Sequence, residues 1–187
     1  TARAQRDNPA STVVESELSA QHKQTSARLM RVNHAGEVAA QGLYHGQALT
    51  AKNSETLVRM QASAQEEADH LAWCQQRLNE LDSHPSLINP LWYMGSFAMG
   101  LTAGLCGDKW SLSFVSETEK QVEEHLSEHL QRLPTEDLKS RAILNQMQQD
   151  EIEHGEAARK LGGTDLPKPV PQLMRSVSQI MKVGAYW

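Results

Sequence analysis

The sequence predicts an all-α four-helix bundle, and three observations carry that prediction. It is rich in Ala, Gln, Glu and Leu and only 5% aromatic, which favours helix over sheet. Four long stretches repeat apolar residues at three- and four-residue spacing. Between them stand the breaks KNSE, LDSHPSLINP, LPTED and a Gly162-Gly163 pair. A chain of 187 residues is long enough for one domain with a sizeable core.

Residues 1–20 read as a loose tail (1–10) followed by a short helix (11–20). The bundle spans 21–161. Its first helix runs from about Gln21 to Lys52. The second runs from Glu55 to about Leu81, with Ser54 or Asn53 as N-cap. The third runs from about Trp110 to Leu133. The fourth opens at LPTED, where Thr135 is placed to cap and Glu136 and Asp137 suit the positive end of the helix dipole. Residues 162–187 form an amphipathic C-terminal tail in which Leu173, Val177, Ile180 and Met181 share a face, with Arg175 and Lys182 free to snorkel.

The net charge of −5 and the absence of a Lys/Arg-rich run exclude a general nucleic-acid binder. Cys74 and Cys106 are isolated, which fits a reducing compartment. The first residues, TARAQRDNPAS, are polar and lack the apolar core of a signal peptide.

Two Glu-x-x-His pairs stand out, in EEADH at 66–70 and DEIEH at 150–154. Chance produces such pairs, so their register decides. In helix two, Met60, Ala64, Glu67, Leu71, Cys74 and Leu78 form one stripe with His70 beside it. In helix four the stripe is Leu144, Met147, Glu151, His154, Ala158 and Leu161. Both pairs therefore point into the core, where an unpaired carboxylate costs several kcal/mol. Helix one carries a single acidic residue, Glu37. Glu119 is the clear acidic interruption in the stripe of helix three, with Glu123 as the alternative if the register slips. The chain thus reads as two similar halves, each a Glu helix followed by a Glu-x-x-His helix.

Four Glu and two His facing one another in a four-helix bundle are the ligand set of a ferritin-like di-iron carboxylate site. Residues i and i+3 share a helix face, so each Glu-x-x-His helix can supply a bridging carboxylate and a terminal imidazole. Oxygen donors with one imidazole per metal suit iron or manganese. Glu66 and Asp150 are placed to accept the second N–H of the opposite helix's histidine, or else to be solvated. His34, His125 and His129 lie near the site; His22, His45 and His84 are ordinary.

The ligand set does not choose a reaction. The segment SLINPLWYMGSFAMGLTAGLCG at 86–107 joins the two halves and carries one charge-free apolar run. Three readings are open for it: a membrane-spanning helix, a crossover buried along the bundle, and an element at a membrane interface, where Trp92 and Tyr93 would be at home. The last is preferred, because with the tail it gives two apolar elements beside a metal site and suggests a lipophilic substrate. Gly36, Gly42 and Gly46 cost roughly 1 kcal/mol each inside a helix. That cost points to a close approach by a neighbouring helix or a flat ring.

RVNHAGEVAAQGLYHGQ, EEADHLAWC, SETEKQVEEH and DEIEHGEAA resemble the demethoxyubiquinone hydroxylase family of ubiquinone biosynthesis in its bacterial form. The resemblance runs from about residue 28 to the Tyr-Trp end. Carried over by position, it implies Glu37, Glu67, His70, Glu119, Glu151 and His154 as metal ligands and catalytic residues. It implies a monooxygenase with two iron ions that uses O2 to hydroxylate a polyprenylated benzoquinol, with NADH as candidate reductant. Its implied partners are the quinol substrate, a membrane surface, other ubiquinone-biosynthesis proteins and a second copy of the chain. The implied location is peripheral, on the cytoplasmic face of the bacterial inner membrane. Some members have a His-Tyr pair where this chain has His125-Leu126, so no role for that tyrosine carries over. No dinucleotide-binding fingerprint is present. The competing classes are a ferroxidase or peroxidase that ignores quinols, and a metal-free helical scaffold.

Overall fold

The computed structural model describes residues 4–14 and 17–186. Six helices follow in order: α1 Ala20–Thr50, α2 Ser54–Glu80, α3 Asn89–Leu105, α4 Asp108–Arg132, α5 Leu138–Lys160 and α6 Pro169–Tyr186. No strand occurs among the described residues. Helices α1 and α2 pair as one hairpin, α4 and α5 as the other, and the two hairpins close the bundle.

Local chemistry sets the boundaries. The Asn53 side chain accepts from the Glu55 backbone N–H at 2.8 Å and starts α2. The expected cap of the last bundle helix, Thr135, is not the one used. Asp137 accepts from the Ser140 N–H at 3.0 Å instead, so α5 begins two residues later than a Thr135 cap would set it. Asp137 is also bound by Arg77 at 2.8 Å, and a cap that also pairs with a buried guanidinium is the better anchor. α5 ends at Lys160, and just past its C-cap stands Gly162, whose φ of 114° favours a residue without a side chain.

Two further expectations are corrected. The short helix over 11–20 does not form among the described residues: 9–12 turn, 17–19 are irregular, and Glu15 and Ser16 lie outside the described set. The loose tail is an arm laid along α2. Ala10 is buried, the Gln5 N–H donates to Asp69 at 2.7 Å, and the Asn8 side chain donates to Gln76 at 3.0 Å. In the C-terminal tail, the Arg175 guanidinium stays half exposed at the surface. It forks onto Glu124 of α4 at 2.7 and 3.3 Å, and Lys182 lies 3.9 Å from Glu128.

The connector 86–107 folds as α3 and packs along α1. The contact works because both helices offer glycine. A Cβ on Gly46 would lie 2.3 Å from the Phe97 carbonyl, and one on Gly100 would lie 2.1 Å from the Leu43 carbonyl. The opposite side of α3 stays exposed at Leu91, Met94 and Leu105. No helix among the described residues is long and apolar enough to cross a membrane, which removes the spanning reading.

The core has two apolar layers. One gathers Leu29, Met30, Trp73, Leu78, Leu126 and Met147. The other gathers Tyr44, Met60, Leu112, Val115 and Ala158. Along each of the four bundle helices, the candidate metal ligands fall in the stretch between these two layers.

Candidate metal centre

Helical register brings all six expected ligands together. Glu37 comes from α1, Glu67 and His70 from α2, Glu119 from α4, and Glu151 and His154 from α5. None is more than 4% exposed. Their donor atoms form two overlapping groups, each with all atoms within 4.8 Å of one another. One group is Glu37, Glu67, His70 and Glu151; the other is Glu67, Glu119, Glu151 and His154. Glu67 and Glu151 belong to both, and Glu37 and Glu119 each belong to one. Glu123, the alternative on α4, is only partly buried and in neither group.

Both histidines turn Nδ1 inward. His70 Nδ1 lies 3.1 Å from Glu67, 3.4 Å from Glu151 and 3.6 Å from Glu37. His154 Nδ1 lies 3.3 Å from both Glu67 and Glu151. Both Nε2 atoms face outward onto a carboxylate of the opposite hairpin. His70 meets Asp150 at 2.8 Å and His154 meets Glu66 at 2.8 Å. Such an outer carboxylate fixes the ring and raises its basicity as a ligand.

The protonation pattern records how much negative charge is buried here. Burial opposes ionisation of Glu67, but the His154 and His70 rings beside it overcome that and hold its carboxyl well below the usual range. Burial pushes Glu37 and Glu119 well up, helped by neighbouring carboxylates: Glu67 for Glu37, and Glu151 with Glu67 for Glu119. Burial disfavours a charged His154 ring, yet the carboxylates of Glu151, Glu66 and Glu67 around it push it up to about 12. Protons on these groups thus offset the charge of the carboxylates.

A cation fits better than those protons. Glu37 Oε2, Glu67 Oε1, Glu151 Oε2 and His154 Nδ1 are all buried without a hydrogen-bond partner. Four converging atoms of metal-ligand type, none satisfied inside the protein, are what a metal would coordinate. These residues therefore fit a metal-binding centre of oxygen and imidazole donors.

Several contacts escaped sequence reading. The Tyr44 hydroxyl donates to Glu119. Tyr44 lies seven residues after Glu37, two turns along the same face, and that spacing was the available signal. Its removal has a measurable cost. Tyr44→Phe is expected to destabilise the metal-free protein by about 1 kcal/mol in urea unfolding, because Glu119 loses its donor. Arg6, which holds Asp150 from outside and is itself held by Asp69, had no signal in the local pattern. Of the nearby histidines, His34 meets Asn89 at 3.2 Å and joins neither ligand group. His129 meets Asn33 at 2.9 Å.

An apolar cavity of about 490 Å³ adjoins the carboxylates. Glu37, Glu67, Glu119 and Glu151 form its polar end. Gly36, Ala40, Trp92, Met99, Phe114 and Met181 are among its apolar walls, and His125 lines it while His129 does not.

Residues 24–185 match the family model of ubiquinone biosynthesis protein COQ7. A relative described as 3-demethoxyubiquinol 3-hydroxylase, from Polynucleobacter necessarius, is 56% identical over 186 residues, covering 99% of this chain and 89% of its own. Relatives with the same description come from Cupriavidus taiwanensis, at 55% over 186 residues (98% and 90% covered), and Xanthomonas oryzae, at 54% over 183 (98% and 84%). A match of this extent and identity, over a chain whose helices bring the six candidate ligands together, means that it belongs to the COQ7 family of ubiquinone biosynthesis proteins.

Proposed function

We propose that this chain is a 3-demethoxyubiquinol 3-hydroxylase, which replaces a ring C–H of a polyprenylated quinol with C–OH. One O2 supplies the inserted oxygen, and its second atom leaves as water with two electrons and two protons. The observation that carries this reading is the apolar cavity that ends on the buried carboxylates. A ferroxidase needs the carboxylates but has no use for that cavity.

Two iron ions suit the site, because four carboxylates match the charge of two divalent cations. Glu37, Glu67, His70 and Glu151 would hold one; Glu67, Glu119, Glu151 and His154 would hold the other. Bound there, iron supplies the redox chemistry that activates dioxygen.

The chain's own residues do the rest. Gly36 lines the cavity beside Glu37, and a Cβ there would meet nothing within 4 Å. That space admits a flat ring next to the ligands. Phe114 and Trp92 give it apolar faces, and Met99, Met174 and Met181 adapt to an isoprenoid chain. The apolar walls exclude water, so the ring carbon rather than water meets the activated oxygen.

The reading extends to a peripheral place on the cytoplasmic face of the bacterial inner membrane. Leu91 and Met94 on α3 and Leu173, Ile180 and Val183 on α6 are exposed apolar side chains. They sit on the two helices that flank the cavity, where a lipid-soluble substrate would enter. NADH serves as the reductant in this scheme.

The test is anaerobic loading with ferrous iron, then addition of a short-chain demethoxyubiquinol, reductant and ¹⁸O2. The expected product carries one labelled oxygen. Ala40→Phe should cut turnover at least about tenfold by filling the cavity, with iron content unchanged. Full activity in that variant would place the substrate elsewhere. Iron oxidation indifferent to the quinol would favour a ferroxidase.

A further inference from the structure

The two halves of the centre match in their ligands but not in what backs them. Asp150, behind His70, has both oxygens held: Arg6 Nη2 donates to Oδ2 at 2.9 Å and Gln146 donates to Oδ1 at 3.0 Å. Its side chain is 8% exposed. Glu66, behind His154, is 35% exposed and has His154 as its hydrogen-bond partner. A longer, half-open side chain held at one end can swing away; Asp150 cannot.

Arg6 itself is fastened at three points. Its Nε donates to Asp69 at 3.0 Å, and Asp69 takes a second bond from the Gln5 N–H at 2.7 Å. Its guanidinium lies over the Trp73 ring, 4.9 Å from the centroid. Arg6 Nη2 also lies 3.3 Å from His70 Nε2. One planar fork therefore ties the N-terminal arm to Asp69 of α2 and to Asp150 of α5. Only a guanidinium can bond two carboxylates in this way.

We propose that Arg6 is a positioning residue that makes the two metal positions unequal, locking the His70 side through Asp150. The arm is then part of the metal centre although it supplies no ligand. Loss of such an outer contact typically weakens metal binding about 10- to 100-fold.

This inference rests on the two-metal reading above, and the test separates the two. The full chain is loaded anaerobically with ferrous iron, and release to a ferrous chelator is followed in time. Wild type should release iron in two phases of equal size, the slower from the His70 side. Arg6→Ala should speed the slow phase about 10- to 100-fold and leave the fast phase alone. Arg6→Lys should behave like Arg6→Ala, because the charge remains but the fork is lost. Glu66→Gln should speed only the fast phase. A single phase in wild type overturns the proposal. So does equal acceleration of both phases in Arg6→Ala, or wild-type release from it. Failure of wild type to load iron overturns the metal reading itself.

Discussion

Glu151→Ala is expected to leave close to no bound iron after anaerobic loading, whereas Glu37→Ala keeps about one ion per chain. Both residues are buried glutamates on core faces, so burial does not separate them. Membership does. Glu151 and Glu67 supply atoms to both ligand groups, while Glu37 and Glu119 each serve one. Removing a shared carboxylate strips an oxygen donor from each ion and one negative charge from between them. Removing Glu37 leaves Glu67, Glu119, Glu151 and His154 as a complete set. Metal analysis of the Ala variants of Glu37, Glu67, Glu119 and Glu151 checks this directly. Thermal unfolding gives a second readout. A ligand at a hundred times its Kd stabilises by about 2.7 kcal/mol. Wild type should therefore melt higher with ferrous iron, and Glu151→Ala should not respond. Equal metal loss in all four variants would refute the shared-ligand arrangement.

Gly46→Ala is the second large effect. In a helix this substitution normally stabilises by up to about 1 kcal/mol. Here it is expected to cost about 1–3 kcal/mol, because the added carbon meets backbone that cannot rotate away. The Cβ would lie 2.3 Å from the Phe97 carbonyl and 2.6 Å from the Leu101 nitrogen. The clash pushes α3 off α1, and α3 carries Trp92, Ser96 and Met99 of the cavity wall. Quinol turnover should fall with stability. Gly36→Ala is the internal control. It has open space around its Cβ position, so it should stabilise while narrowing the cavity beside Glu37. Urea unfolding of both variants decides. A stabilising Gly46→Ala would mean that α3 does not pack on α1 this closely.

The six candidate ligands were legible in the sequence because each sits at a core position of a long helix. An i, i+3 pair must share a face, and a carboxylate in an apolar stripe needs a reason. The choice between Glu119 and Glu123 needed more, since a stripe tolerates a small register error. Only the packing of α4 on α5 puts Glu119 beside Glu151 and leaves Glu123 outside. The glycines of α1 signalled a close approach but not its source, which proved to be α3 for Gly42 and Gly46 and open cavity for Gly36.

The arm marks the opposite limit. RAQRD looks like any polar tail, because nothing local shows that Arg6 will meet a carboxylate 144 positions away. The Thr135 cap fails for the same kind of reason, since Arg77 rewards Asp137 from another helix. By itself the sequence determined the four long bundle helices, their inward faces and five of the six candidate ligands, since periodicity is a local property of the chain. The tertiary structure alone decided which group Glu37 and Glu119 each join, that Asp150 and Glu66 back the histidines rather than being solvated, and where the cavity opens. Those depend on contacts between helices far apart in sequence, whose distances no local pattern encodes.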